Sequence, residues 1–211
     1  MSIALPAPRV PLVLADVWSR TRVADVVTVV SAAVLTTAAA QIVLPVPGSP
    51  VPVTGQTLAV LLTAAALGPL RGALGQLLYV GAAFIGLPVL AQGASGSHAV
   101  FGATGGYLLG FVLAAFIVGR LAKSGWSRTP VRVLASYAVG SVVIYACGVV
   151  VLALVTGQGM SWAFQKGVVP FLFGDVLKAL LAAGLLPLAW VAVRKLRGPD
   201  SDEKSAGSTT R

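Results

Sequence analysis

Apolar positions in this chain come in long runs, and short polar, basic or proline-bearing breaks divide them into about six segments. They fall at 26–44, about 55–70, 72–90, about 105–122, about 133–156 and about 168–193. Runs of this kind suit membrane-spanning helices, since a bilayer core of about 30 Å needs roughly 20 apolar residues at 1.5 Å each. The second segment is short, and little more than "GPLRG" separates it from the third. That pair reads as a tight helical hairpin or a partly re-entrant one. Pro187 predicts a kink in the sixth helix, because proline removes a backbone donor and clashes one turn back.

Composition agrees with the pattern. Of 211 residues, 57% are hydrophobic and 10% charged, where a soluble domain carries about 25% charged residues. The chain reads as an all-α integral membrane protein of six transmembrane helices. The +9 net charge does not point to nucleic acid, which needs a clustered, solvent-facing basic patch. Here the basic residues flank apolar runs. Arg9, Arg20, Arg22, Arg71, Arg120, Lys123, Arg128, Arg132, Arg194, Lys195, Arg197, Lys204 and Arg211 fall on one side of a six-span arrangement. Lys166 alone lies opposite, and Lys178 is inside a span. The excess of lysine and arginine marks the cytoplasmic side, so both termini are expected there.

The resulting organisation is a cytoplasmic segment 1–25, a transmembrane domain 26–193 and a polar tail 194–211. Its stretch "GPDSDEKSAGSTTR" (198–211) is polar, without an apolar run to bury, and is expected to be disordered. Arg20 and Arg22 ahead of an apolar run ending "TTAAAQ" imitate a secretory signal. Many equally apolar runs follow, so this one reads as the first span.

Two unusual loops fall on the side opposite the basic residues. "PVPGSPVPVTGQT" (45–57) is proline-rich and therefore stiff. "AQGASGSHAVFGATGGY" (91–107) is glycine-rich and holds His98, the chain's one histidine. Glycine lets backbone approach a ligand closely. Both loops are equally readable as plain helix connections.

Asp175 and Lys178 are the only charges between Val168 and Val193. Three residues apart, they share a helical face, and at their depth this face must look into the bundle or a wet cavity. The pair would serve as an internal salt bridge, a ligand site, or a short proton relay. As a ligand site, Asp175 would accept from N–H groups and Lys178 would attract an anion. Catalysis has little to work with. Asp175 is the one acid well inside a span, and a lone histidine assembles neither a metal site nor a catalytic triad. No phosphate-binding G-x-x-x-x-G-K-[ST] motif occurs, so concentrative transport would draw on an ion gradient or partner subunits. Small residues four apart, Ala33 and Thr37 in the first span and Gly106, Gly110 and Ala114 in the fourth, allow close helix approach.

The runs "LPVPGSPVPVTGQTLAVLLTAAALG" (44–68), "GLPVL" (86–90) and "GATGGYLLGF" (102–111), followed by Asp175-x-x-Lys178, resemble the BioY family. These are biotin-specific S components of energy-coupling factor (ECF) transporters, and the likeness covers about residues 26–193. It implies a six-helix bundle in the bacterial cytoplasmic membrane, with biotin as transported ligand and no cofactor. It also implies partners: a transmembrane coupling protein, contacted through Ala33 and Thr37, and two cytoplasmic ATPases. Biotin's ureido N–H groups and carboxylate suit Asp175 and Lys178. Thr54, Gln56 and Tyr79 join them as candidate ligand residues, with Phe101, Thr104 and Tyr107 closing over the ligand and His98 in the lid. Thr37 stands where alanine is usual, and Ala103 where proline is. Alternatives are an S component for another vitamin, an intramembrane enzyme, or a structural membrane subunit.

Overall fold

The computed structural model describes residues 12–17 and 21–197, without the side chains of residues 196 and 197. Arg9, Arg20 and the tail beyond residue 197, with its expected disorder, lie outside the described residues. Eight α-helices and one small hairpin follow a 3-10 turn at Leu14–Val17. The first helix, α1, is Arg22–Ala40, and the hairpin strands are β1, Val43–Leu44, and β2, Val53–Thr54. Then come α2 (Gln56–Leu67), α3 (Pro69–Phe84), α4 (Gly96–Val100) and α5 (Gly105–Leu121). The chain closes with α6 (Pro130–Thr156), α7 (Met160–Gly167) and α8 (Val169–Arg197).

Four helical stretches are long and apolar enough to cross a membrane: Arg22–Ala40, Gly105–Trp126, Pro130–Thr156 and Met160–Lys195. The second and third expected spans are shorter. α2 has 12 residues and α3 has 16, so they reach about 18 and 24 Å at 1.5 Å per residue. Apolar sequence continues to Leu90, yet α3 stops at Phe84 because Gly86 turns at φ 99° and Pro88 follows. Between α2 and α3, Gly68 takes φ 86°, a conformation open to glycine, and Pro69 starts the next helix without needing its N–H.

Helix boundaries have local causes. Thr21 caps α1, its hydroxyl oxygen accepting the Ala24 N–H at 3.2 Å. The first span therefore begins at Arg22, four residues before the apolar run. α8 runs through Pro187 as one helix. The segment before it, between the fifth and sixth apolar runs, holds α7, whose apolar content is too low to stand out as a run.

α5 lies centrally, packing on α2, α3 and α6, while α8 rests on α6 and α2, and α1 on α3. Small residues make these approaches possible. A Cβ on Gly106 would sit 2.3 Å from the Cys147 carbonyl oxygen, and one on Gly110 would sit 2.8 Å from Ile144 Cα. The small stripe of α5 thus serves contact within this chain. On α1, Ala32 packs so tightly on α3 that a Cβ on Gly75 would lie 2.6 Å from its methyl. Thr36 and Gln76 hydrogen-bond across the same seam at 3.1 Å, both fully buried. The opposite face of α1 exposes Val23, Val26, Val30 and Val34, apolar surface of the kind that lipid covers.

At the end where α3 begins, Arg71 donates to Asp25 of α1 at 2.7 Å and to Asp16 at 3.1 Å. The turn carrying Asp16 is held against the bundle, and its Val13 is fully buried beside Gly68. Arg128 stacks over Trp190 of α8 at the same basic end, 4.8 Å from the ring centroid.

Candidate functional site: a polar-floored cavity beneath the hairpin

At the opposite end the β-hairpin pairs Val43 with Thr54 and Leu44 with Val53, which folds the proline-rich loop back over the bundle. Ser49 pins its tip, donating to the Lys166 carbonyl at 2.9 Å. Beneath the hairpin is a partly open cavity of about 200 Å³. This is smaller than the roughly 300–1,000 Å³ of drug-sized ligand sites, so it suits one compact molecule.

The hairpin supplies Pro50, Val51, Pro52 and Thr54 to the wall, and the α2 start supplies Gln56 and Thr57. Leu90, Ala91 and Gln92 come from the second loop, with Gln92 in a left-handed conformation at φ 58°. α5 adds Tyr107, Leu108 and Phe111, α6 adds Tyr145, and α8 adds Phe171 and Lys178. Tyr107 stacks on Phe171 at 6.3 Å between centroids, and Tyr145 meets the same ring edge-on at 6.2 Å. Those rings form an apolar clamp above a polar floor.

That floor is one connected set. Lys178 Nζ donates to Asp175 Oδ1 at 3.0 Å and to Thr57 Oγ1 at 2.8 Å. Thr57 donates in turn to Asp175 Oδ1 at 3.3 Å, and the Tyr145 hydroxyl donates to Asp175 Oδ2. Asp175 is 7% exposed and does not line the cavity; Lys178, Thr57 and Tyr145 stand between it and the open space. An ionised carboxylate at membrane depth costs several kcal/mol unless compensated. Three donors, one of them the Lys178 counter-charge, supply that compensation. In return, Asp175 orients each group that faces the cavity.

A second polar chain runs beside the first. Thr54 Oγ1 donates to Gln56 Oε1 at 2.7 Å, and Gln56 Nε2 donates to the Tyr79 hydroxyl at 2.6 Å. Tyr79 is fully buried behind the wall, where it fixes the Gln56 amide.

The candidate residues therefore separate. Thr54, Gln56, Thr104, Tyr107 and Lys178 line the cavity, while Asp175 and Tyr79 support it from behind. Phe101 and His98 do not reach it. Phe101 is 70% exposed, its ring edge-on to Phe84 at 6.0 Å, and His98 is exposed on α4. α4 is too short to turn its whole face inward, and its neighbour Ala99 takes the lining position. Among the described residues no group of three or more metal-ligating side chains forms. Ala33 is 8% exposed within the chain's own core, so of the two expected partner contacts only half-buried Thr37 offers appreciable surface.

Sequence reading missed Tyr145, Thr57, Phe111 and Phe171. Tyr145 lies in the apolar run 133–156 with no charge nearby to draw attention. Thr57 had a signal: it directly follows Gln56 at a helix start, where a hydroxyl faces inward one position on.

A multi-pass membrane protein whose helices enclose a small cavity with a charged floor is a substrate-binding membrane subunit in form. The BioY family model matches residues 10–195, and the chain belongs to that family. It is 40% identical to the biotin transporter BioY of Rhizobium etli over 141 residues, covering 64% of this chain and 75% of the relative. With the Thermotoga maritima biotin transporter BioY, identity is 41% over 138 residues, 65% of this chain and 80% of that one. Among solved structures, the S-component for biotin from an ECF-type ABC transporter superposes with a TM-score of 0.71. It shares 22% identity, and the match covers 85% of this chain and 95% of the other.

Proposed function

We propose that this chain captures biotin at the hairpin end and delivers it across the bacterial cytoplasmic membrane as the S component of an ECF transporter. The observation that carries the reading is the connected floor of Lys178, Thr57, Tyr145 and Asp175 beneath a compact aromatic-walled cavity, in a chain of the BioY family. A ureido ring matches that floor. Lys178 offers a charged donor to the ureido oxygen. The Tyr145 and Thr57 oxygens keep lone pairs for ureido N–H groups while their own protons go to Asp175. Tyr107 and Phe171 would then hold the apolar rings and chain. Gln56 and Thr54 form one polar edge of the site, with Thr104 at another. The role is binding and passage, with no bond made or broken.

The proposed topology has six crossings, with α2 and α3 as the short pair and α7–α8 as the last. The transmembrane domain is 26–193, flanked by a cytoplasmic segment 1–25 and tail 194–211. Among the described cations, Arg22, Arg71, Arg120, Lys123, Arg128, Arg132, Arg194 and Lys195 lie at helix ends away from the hairpin. That asymmetry supports cytoplasmic termini and an extracytoplasmic cavity. Energy would come from a coupling protein and two ATPases, with the α1 face around Thr37 as the docking surface.

Purified full-length chain in detergent, titrated with labelled biotin and challenged with excess unlabelled vitamins, tests the reading. Saturable binding displaced by biotin alone is expected. Displacement by a different vitamin, or no binding by folded protein, would overturn it.

A further inference from the structure

Helix α6 brings two tyrosines to the floor, and their hydroxyls do different things. Tyr145 donates to Asp175. Tyr137 lies about two turns nearer the start of α6 and is 3% exposed. The Thr57 hydroxyl lies beside that of Tyr137 and the Asp175 charge acts on it, yet the Tyr137 hydroxyl completes no hydrogen bond. Among the described residues, Ser141 is the one other with a buried side-chain polar atom left unpaired. A buried hydroxyl without a partner costs free energy that a phenylalanine would not. The hydroxyl at this position therefore calls for a partner that forms in another state of the site.

The packing names that partner. Thr57 lines the cavity and Tyr137 does not, so Tyr137 stands behind Thr57 as seen by a ligand. Tyr137 lines instead a void of about 10 Å³ on the far side of the floor, with Leu61, Val118, Ser136 and Leu186. That slack gives the ring room for a small shift toward Thr57. Thr57 Oγ1 accepts from Lys178 at 2.8 Å and donates its proton to Asp175 at 3.3 Å. A hydroxyl oxygen accepts at two lone pairs. Whatever draws the Lys178 ammonium toward the cavity frees one of them for a donor from behind.

We infer that Tyr137 is a positioning residue for ligand capture: as a ligand oxygen draws the Lys178 ammonium off Thr57, the Tyr137 hydroxyl donates to Thr57 in its place. Thr57 then keeps its bond to Asp175 and presents its other lone pair to a ligand N–H. The cost of the unpaired hydroxyl falls on the ligand-free protein and is relieved on binding, so it counts toward affinity and not toward fold stability. The inference rests on the biotin reading above and adds to it a buried group, out of the ligand's reach, that responds to the ureido oxygen.

The test compares detergent-purified full-length parent and Tyr137→Phe by equilibrium binding of labelled biotin, by thermal melting with and without biotin, and by tyrosine ultraviolet absorption. Tyr137→Phe should bind biotin about tenfold more weakly, the loss of one hydrogen bond in a charged network. Its melting temperature without biotin should equal or exceed the parent's, since the lost hydroxyl had no bond to lose. The rise in melting temperature with biotin should shrink. Biotin should red-shift part of the parent's tyrosine absorption as the hydroxyl becomes a donor, and that part should be missing in Tyr137→Phe. Unchanged affinity in the variant refutes the inference. A parallel fall in affinity and in ligand-free melting temperature also refutes it, since the hydroxyl would then serve the fold alone. Weaker binding with the absorption change intact refutes the donation to Thr57. Failure of the folded parent to bind biotin refutes the biotin reading itself, and this inference with it.

Discussion

Two acid–base clusters sit at opposite ends of this bundle and do different things with the same chemistry. Arg71 bridges Asp16 and Asp25, joining the N-terminal turn, α1 and the start of α3; the Asp25 side chain is 49% exposed and that of Asp16 8%. Lys178 pairs with Asp175 under the cavity, their side chains 12% and 9% exposed, and hydroxyls of Thr57 and Tyr145 complete the set. The first cluster ties three segments together. The second turns a buried carboxylate into a scaffold for groups that meet the cavity. An ion pair becomes a binding element when its surplus donors and lone pairs open onto space a ligand can enter.

The largest effect should come from breaking the buried pair. Asp175→Asn leaves Lys178 charged without a counter-charge, and removing one partner of a buried pair costs about 3–5 kcal/mol. Biotin affinity should fall at least about a hundredfold, as read by equilibrium binding. Tyr145→Phe keeps the ring against Phe171 and removes one hydrogen bond to the carboxylate. At about 1.5 kcal/mol for a bond to a charged group, affinity should drop roughly tenfold with little change in melting temperature.

At the other end the same operation should leave binding alone. Arg71→Met removes an exposed pair with Asp25 and a largely buried one with Asp16, so thermal stability should fall measurably while biotin affinity should not move. A tenfold affinity loss there would erase the contrast between the clusters. Thr36→Val calibrates an ordinary intramembrane hydrogen bond. The α1–α3 seam should lose about 0.6 kcal/mol in denaturant unfolding, again with ligand affinity intact.

What the sequence revealed follows from which signals are one-dimensional. Hydropathy located the long helices because lipid exposure demands continuous apolar stretches, and α5, α6 and α8 begin within about three residues of their runs. It overran α3, since Ile85–Leu90 is apolar but glycine and proline turn the backbone. It also passed over α7, where mixed polarity hid a helix. Asp175 and Lys178 were legible because charge in an apolar run has few explanations. Tyr145 and Phe171 were not, because an aromatic in a membrane helix looks the same facing lipid, core or cavity. His98 and Phe101 drew attention by rarity and loop position, yet only contacts across α4 and α5 decide which loop residue faces inward. Gly106 and Gly110 announced a close helix approach without naming α6 as the neighbour.

The central claim is that charge at the cavity floor binds ligand while charge at the basic end only fastens the fold. Equilibrium binding of labelled biotin to parent, Lys178→Met and Arg71→Met, side by side in one detergent, tests it most directly. The account predicts tight binding by parent and Arg71→Met and at least a hundredfold weaker binding by a folded Lys178→Met, consistent with the cost of breaking a buried pair. Equal affinity in all three would contradict it and leave Asp175 and Lys178 as a structural pair.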